Sequence, residues 1–377
     1  MNLWPFQLLS QMILDSIKTP KAKTILALAL PVQIALVKWI GNYPDFVEQY
    51  YSKGTYPVVS QMLRTLLGWI PFSIGDIFYL GLFVLVVSHI FKHRKTIKKK
   101  PLLFLKDIAV FLSIVFFAFH LLWGMNYYRK PIHEKFGIQR EYEVTELIGF
   151  TKYLAEKTNQ YQHQLAGDTA TAVKIPYSRA EIFKKTEAGY ASFKESFPDF
   201  EYKRSSLKAS LFSLPLTYMG YGGYLNPFTN EAHVNGLTPL FRLPTVSGHE
   251  VGHQLGYAAE GATNFIGFLV TEQHEDPYFK YAAYHHALGY CLSDLQRKDE
   301  EASKEIIALL NPGVKKNFQE LKEFWEKYQN PLEPMFKFIF STFLKANNQD
   351  EGIQSYQAVV AYMVNYHKNN SSRKTLQ

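Results

Sequence analysis

The sequence predicts a mainly α-helical protein in two parts: transmembrane helices at the N-terminal end, then an α+β domain with a small strand element and one metal-binding helix. Three observations predict it. Apolar runs long enough to cross a bilayer are confined to the first third of the chain, and from Tyr142 onward apolar residues recur every three or four positions, as on helices. The stretch "SGHEVGHQLGYAAEGATNF", Ser247–Phe265, then sets two histidines four residues apart with a glutamate beside the first. The division implied is an anchor over residues 1–130, an extracytoplasmic domain over 131–368, and a disordered tail over 369–377.

Within the anchor, Trp69–Phe91 carries one charge, Asp76, over a length that crosses the hydrocarbon core as a helix. Asp76 lies about seven residues into that run, which places it near the outer headgroups. A further span over 104–128 is uncharged from Ile108 and ends in the Trp and Tyr residues that favour the interface. An earlier run over 24–41, "TILALALPVQIALVKWIG", is flanked by Lys21 and Lys23, contains Pro31, and lets Lys38 snorkel, so it is a candidate first span. No small-residue cleavage site follows it, which favours an uncleaved anchor over a signal peptide. The six Lys and Arg residues of Lys92–Lys100 read as a cytoplasmic loop, so the segment after the last span lies outside, on the periplasmic face of a bacterial inner membrane.

Composition agrees with a membrane protein that has the lipid bilayer as a partner; the other expected partner, a peptide or protein substrate, comes from the histidine motif. The hydrophobic fraction of 47% leaves little room for disorder. A formal charge of +8 raises the question of nucleic acid, but the cations cluster between two spans and form no recognisable nucleic-acid module, so none is expected. The single Cys291 excludes an intrachain disulfide and a cysteine-rich metal site.

After the spans, "YEVTELIGFTKYLAEKTNQYQHQL" reads as a helix capped by Thr145, and "SRAEIFKKTEAGYASFKESF" as one entered through a Ser178/Glu181 capping box. Glycines, tyrosines and prolines in "LPLTYMGYGGYLNPFTNEAHVNGLTPLF" mark one or two strands with turns. Behind the motif, residues 276–296, 314–348 and 355–368 are helical in spacing, and "PMFKFIFSTFLKA" is too short to span and reads as core or membrane-facing surface.

The motif itself carries the chemistry. Four residues return His249 and His253 to one helix face, where both can hold one ion, and Glu250 falls beside it as a base. The rival reading is a helix whose histidines are satisfied locally. A catalytic Zn2+ takes three protein ligands and one water, and Glu260 is the chosen third, reached if Gly256 turns the chain into a second helix; Glu272 and His274 compete. Asn264, one turn after Glu260, can orient a histidine. Ahead of the motif, Glu231, Ala232, His233, Val234 and Asn235 alternate like a strand edge that binds extended peptide, or an ordinary core strand. Tyr281, Tyr284, His285 and His286 are candidates for holding an oxyanion.

On "FSIGDIFY", "WGMNYYR", "NPFTNEAHVN" and "HEVGHQLGYAAEGATNFIGFL", the chain resembles an uncharacterised family of bacterial membrane proteins classed as a domain of unknown function, which joins three N-terminal spans to a zincin-like extracytoplasmic domain. The resemblance implies that topology and a metallopeptidase-like site with His249, Glu250 and His253, and with Glu260 and Asn264 beside them. The Gly256 spacing is similar to that of metzincins, but Ala259 stands where those place a third His, which argues against that clan. The expectation is a membrane-anchored zinc metallopeptidase. Its alternatives are a noncatalytic envelope protein that binds a peptide or protein partner, and a zinc amidase acting on cell-wall material.

Overall fold

A computed structural model describes residues 19–349 and 358–375. Three of its helices are long and apolar enough to cross a membrane: α1 (Pro20–Gly41), α3 (Ile74–Lys99) and α4 (Pro101–Leu122), with α2 (Tyr56–Leu67) between the first two. Their outward residues, such as Ile25, Val32, Phe83 and Leu85, are exposed, as lipid-facing positions would be. The boundaries differ from the sequence expectation for physical reasons. The second span begins at Ile74, because Ser73 caps it by accepting from the Asp76 amide at 2.8 Å. It also continues through the basic cluster to Lys99, so the expected loop shrinks to Lys100 ahead of Pro101. The third span stops at Leu122, where Trp123 leaves the helix and Gly124–Tyr128 forms a 3-10 turn.

The first and third spans run side by side in the same direction. Lys23 meets Asp107 at 2.6 Å near their starts, Gln33 donates to Ser113 at 3.2 Å midway, and Gly41 abuts the Tyr128 ring at the other end. The second span packs little against the first, and its buried residues, Gly75 and Asp76, lie at its N-terminus.

In the domain, α5 (Val144–Ala166), α6 (Arg179–Ser196), α8 (Leu243–Gln254), α9 (Glu260–Glu272) and α10 (Pro277–Lys298) enclose a core that includes Leu147, Leu154, Tyr190, Phe193, Phe265 and Leu288. The short α7 is Ser213–Met219; α11 (Glu300–Ala308), α12 (Pro312–Glu326), α13 (Glu333–Ala346) and α14 (Ala358–Thr375) follow. Capping of α6 uses Ser178 and Glu181, whereas α5 is capped by Glu143 with Glu146 and not by Thr145. Helix α14 runs to Thr375, into the stretch expected to be a disordered tail; Ser355–Gln357 and residues 376–377 lie outside the described residues.

The sheet has three strands, β1 (Leu207–Ala209), β2 (Gly223–Asn226) and β3 (Glu231–Val234), in the order β1-β3-β2. Parallel β1 and antiparallel β2 flank β3. The expected peptide-binding edge at Glu231, Ala232, His233, Val234 and Asn235 is therefore a correction: these residues form or follow the central strand and are fully buried.

Two of those side chains hold the membrane helix instead. Glu231 accepts from the amides of Ile74 (3.2 Å) and Gly75, from Thr229 Oγ1 (3.0 Å) and from Lys208 Nζ, so a buried carboxylate sits on the positive end of α3. His233 Nε2 pairs with Ser73 Oγ at 2.7 Å. Asp76 is not at a free headgroup position either, since it is buried and accepts from Ser210 Oγ (3.0 Å), the Leu211 amide (2.7 Å) and Tyr224 OH. Sheet and second span are thus one structural unit. Glu231→Gln leaves buried Lys208 without its counter-charge and should cost about 3–5 kcal/mol of stability. Thermal unfolding of the detergent-solubilised protein measures this, with Lys208→Met added to the variant expected to recover part of the loss.

Candidate metal centre

Helix α8 enters through Pro244 and ends at Gln254, where Gly256, at φ +82°, adopts the left-handed conformation that reverses the chain. The returning helix α9 starts at Glu260 and crosses α8 closely: a Cβ on Gly248 would lie 3.1 Å from Gly267 Cα. Close crossing brings the first turn of α9 against the histidine face. His249 Nε2 lies 3.3 Å from Glu260 Oε2, and His253 Nε2 lies 3.7 Å from Glu260 Oε1. The other ring nitrogens are fixed, with His249 Nδ1 3.1 Å from Asn264 Oδ1 and His253 Nδ1 2.8 Å from the Tyr257 carbonyl. Both rings therefore donate from Nδ1 and turn Nε2 toward the same carboxylate.

His249, Glu250 and His253 form a cluster whose ligand atoms lie within 4.8 Å of one another and could hold a metal ion. The electrostatics agree with that reading. Burial pushes Glu250 up to about 8 and His253 down to about 4. At His249 burial works in the lowering direction, but the facing Glu260 carboxylate outweighs it and leaves the imidazole raised. Glu250 Oε2 is buried with no hydrogen-bond partner among the described residues. Two buried acids and two imidazoles converge out of water, a donor set that would suit a divalent ion.

The carbonyl end of α8 is held from the membrane side. Tyr56 OH and Arg64 Nη1 donate to the Gln254 carbonyl at 2.8 and 3.2 Å. Trp123 Nε1 donates to the His253 carbonyl at 3.0 Å, and Arg129 Nη1 to that of Gly256 at 2.8 Å. Sequence reasoning missed all four; their signal was the aromatic and basic residues retained just outside the spans. It also missed Arg242, which lines the cavity half-buried beside His286 and has no carboxylate partner among the described residues. Burial lowers its pKa to about 10.

Glu272 and His274 do not reach the cluster. Glu272 accepts from Tyr284 OH at 2.9 Å, and His274 is held between the Lys185 carbonyl and the Asp276 amide. Of the four oxyanion candidates only His286 lines the cavity. Tyr281 donates to Asn317 Oδ1 at 2.7 Å, Tyr284 is spent on Glu272, and His285 stacks on Phe318 at 3.9 Å. The strand beside the cluster is the sheet edge β2, where a Cβ on Gly223 would stand 2.5 Å from Glu250 Oε1.

The family model described as protein of unknown function (DUF3810) matches residues 51–364, which takes in the second and third spans and the whole cluster. No curated protein and no solved structure matches the chain.

The purified chain should bind one divalent transition metal per molecule and lose it on His253→Ala. Asn264→Ala should weaken affinity about 10–100-fold by freeing the His249 ring. Competition against a chelator reads both, and unchanged affinity in the Asn264 variant would remove that residue from the site.

Proposed function

The chain belongs to DUF3810, a family of unknown function, and we propose from the geometry of its own site that it is a membrane-anchored zinc metallopeptidase. The observation that carries this is the convergence of His249 Nε2, His253 Nε2 and the Glu260 carboxylate, with Glu250 set beside a free sheet edge. Two imidazoles and one carboxylate are a catalytic zinc's usual protein set, and the ion's contribution would be Lewis acidity toward a carbonyl and a water. Glu250 takes a proton from the attacking water and passes it to the departing amide nitrogen. The water's oxygen ends in the new carboxylate, the C–N bond breaks, and an amine leaves. The β2 edge supports an extended peptide by backbone hydrogen bonds, and Gly223 leaves room for both peptide and Glu250. Arg242 and His286 line the same cavity and would hold the carbonyl oxygen as charge develops on it.

The reading places the site outside the cytoplasm. Six cations over Lys92–Lys100 favour the cytoplasmic side for that end of the second span, and the cluster lies at the other end.

Glu250→Gln should keep the bound zinc and abolish cleavage of a mixed peptide library followed by mass spectrometry. Cleavage that persists in that variant would exclude Glu250 as the base. Arg242→Met should lower kcat by about 10²–10³ with KM little changed. A purely structural arginine would instead lower Tm and leave kcat of the folded fraction intact.

A further inference from the structure

The cavity that holds the metal cluster measures about 1300 Å³, beyond the roughly 300–1,000 Å³ of small-molecule sites. Only one end of it is polar. From the cluster it continues along the paired spans, past Leu112, Val115, Phe116 and Phe119 of α4 and Leu30 and Ile34 of α1. These residues repeat at helical spacing, so one face of each span is turned to the cavity and not to its neighbour. From Leu112 to Trp123 the wall is eleven residues, or about 16 Å, close to the ~15 Å of one leaflet's hydrocarbon. Helix α3 packs little against α1 and lends only Tyr79 to the wall, so the second span does not close the groove on that side. Helix α13 flanks the mouth: Phe340 and Phe343 line the cavity, while Phe338 and Ile339 are 72% and 55% exposed on its other side. A soluble peptide has no use for an apolar channel of leaflet depth.

We propose that the substrate is a peptide carrying a long acyl chain, whose chain lies in the groove along the paired first and third spans while the peptide extends along β2 to the metal cluster. The proposal rests on the metallopeptidase reading for what happens to the peptide. Hydrocarbon is the occupant that the surroundings supply, since the cavity opens where lipid chains lie. The polar end matches as well, with a sheet edge, Arg242 and the ligand cluster at the depth where the spans end and a headgroup begins. Lateral entry from the leaflet then delivers the amide to the site already oriented.

The test uses the full chain, zinc-loaded, in phospholipid nanodiscs, as the Glu250→Gln variant so that nothing is cleaved. The probe is a palmitoyl-peptide with a photoreactive diazirine at the chain terminus. Saturable labelling of Ile34 and of Leu112–Phe116 is expected, displaced by unlabelled palmitoyl-peptide at least about tenfold better than by its acetyl counterpart or by a phospholipid of equal chain length. Val115→Trp should reduce that labelling about tenfold, and if this variant loses its zinc the displacement series on the unplugged protein still decides. Unsaturable labelling spread over the outward faces at Ile25 and Phe83 would overturn the proposal. So would equal displacement by phospholipid, or better displacement by a synthetic transmembrane helix. If labelling is as expected but the unmutated protein cleaves no lipopeptide, the acyl site stands and the peptidase reading falls.

Discussion

The hydrogen bonds received by the carbonyl end of the motif helix are the constraint on which the rest depends. A helix leaves its last four carbonyls without internal partners, and here those of His253 and Gln254 face the protein interior. Tyr56, Arg64 and Trp123 fill them, and Arg129 reaches the Gly256 carbonyl beyond. All four donors come from the segments joined to the spans. His253 is therefore positioned by the membrane part of the chain as directly as by its own helix. At the opposite side Glu231 and His233 return the connection, holding the start of the second span from the central strand. Anchor and domain share one set of buried polar bonds, and neither can shift without breaking them.

That arrangement bears on the site's charge. The carbonyl end of a helix carries partial negative potential, and the cluster adds Glu250 and Glu260 within the same low-dielectric space. Glu260 faces His249 and His253, whereas Arg242 stands at the cavity wall beside His286. A divalent ion at the cluster would add positive charge there and leave the guanidinium available for something that enters.

The spans and the motif were legible because each follows from a short local rule: apolar length for the first, a four-residue return for the second. The turn at Gly256 and the start of α9 at Glu260 were legible for the same reason, since a glycine in left-handed conformation and an acid in a helix's first turn are local signals. The role of Glu231–Asn235 was not. Alternation marks a strand, but whether that strand is central or an edge depends on which others pair with it, and β1 joins from a distant segment. The four donors to α8 were hidden similarly, because a Tyr or Arg between spans looks like interface decoration until the fold brings a carbonyl to it. Arg242 gave no signal at all, as a lone arginine is exposed in most contexts.

A noncatalytic scaffold and an enzyme make different demands on Gly223. A protein that only binds a peptide along β2 gains from a side chain there, which would fill space and stiffen the edge. In this chain any side chain would meet the Glu250 carboxylate and the His233 carbonyl, each 2.5 Å from where a Cβ would stand. The glycine keeps an acid that no neighbour satisfies next to the strand on which a peptide would lie, at the cost of backbone entropy. Retaining an unsatisfied buried carboxylate at a bound backbone has no structural return. Under the proposed hydrolytic function it would have a chemical one, because such a group could accept a proton from a water lying between it and a peptide on β2.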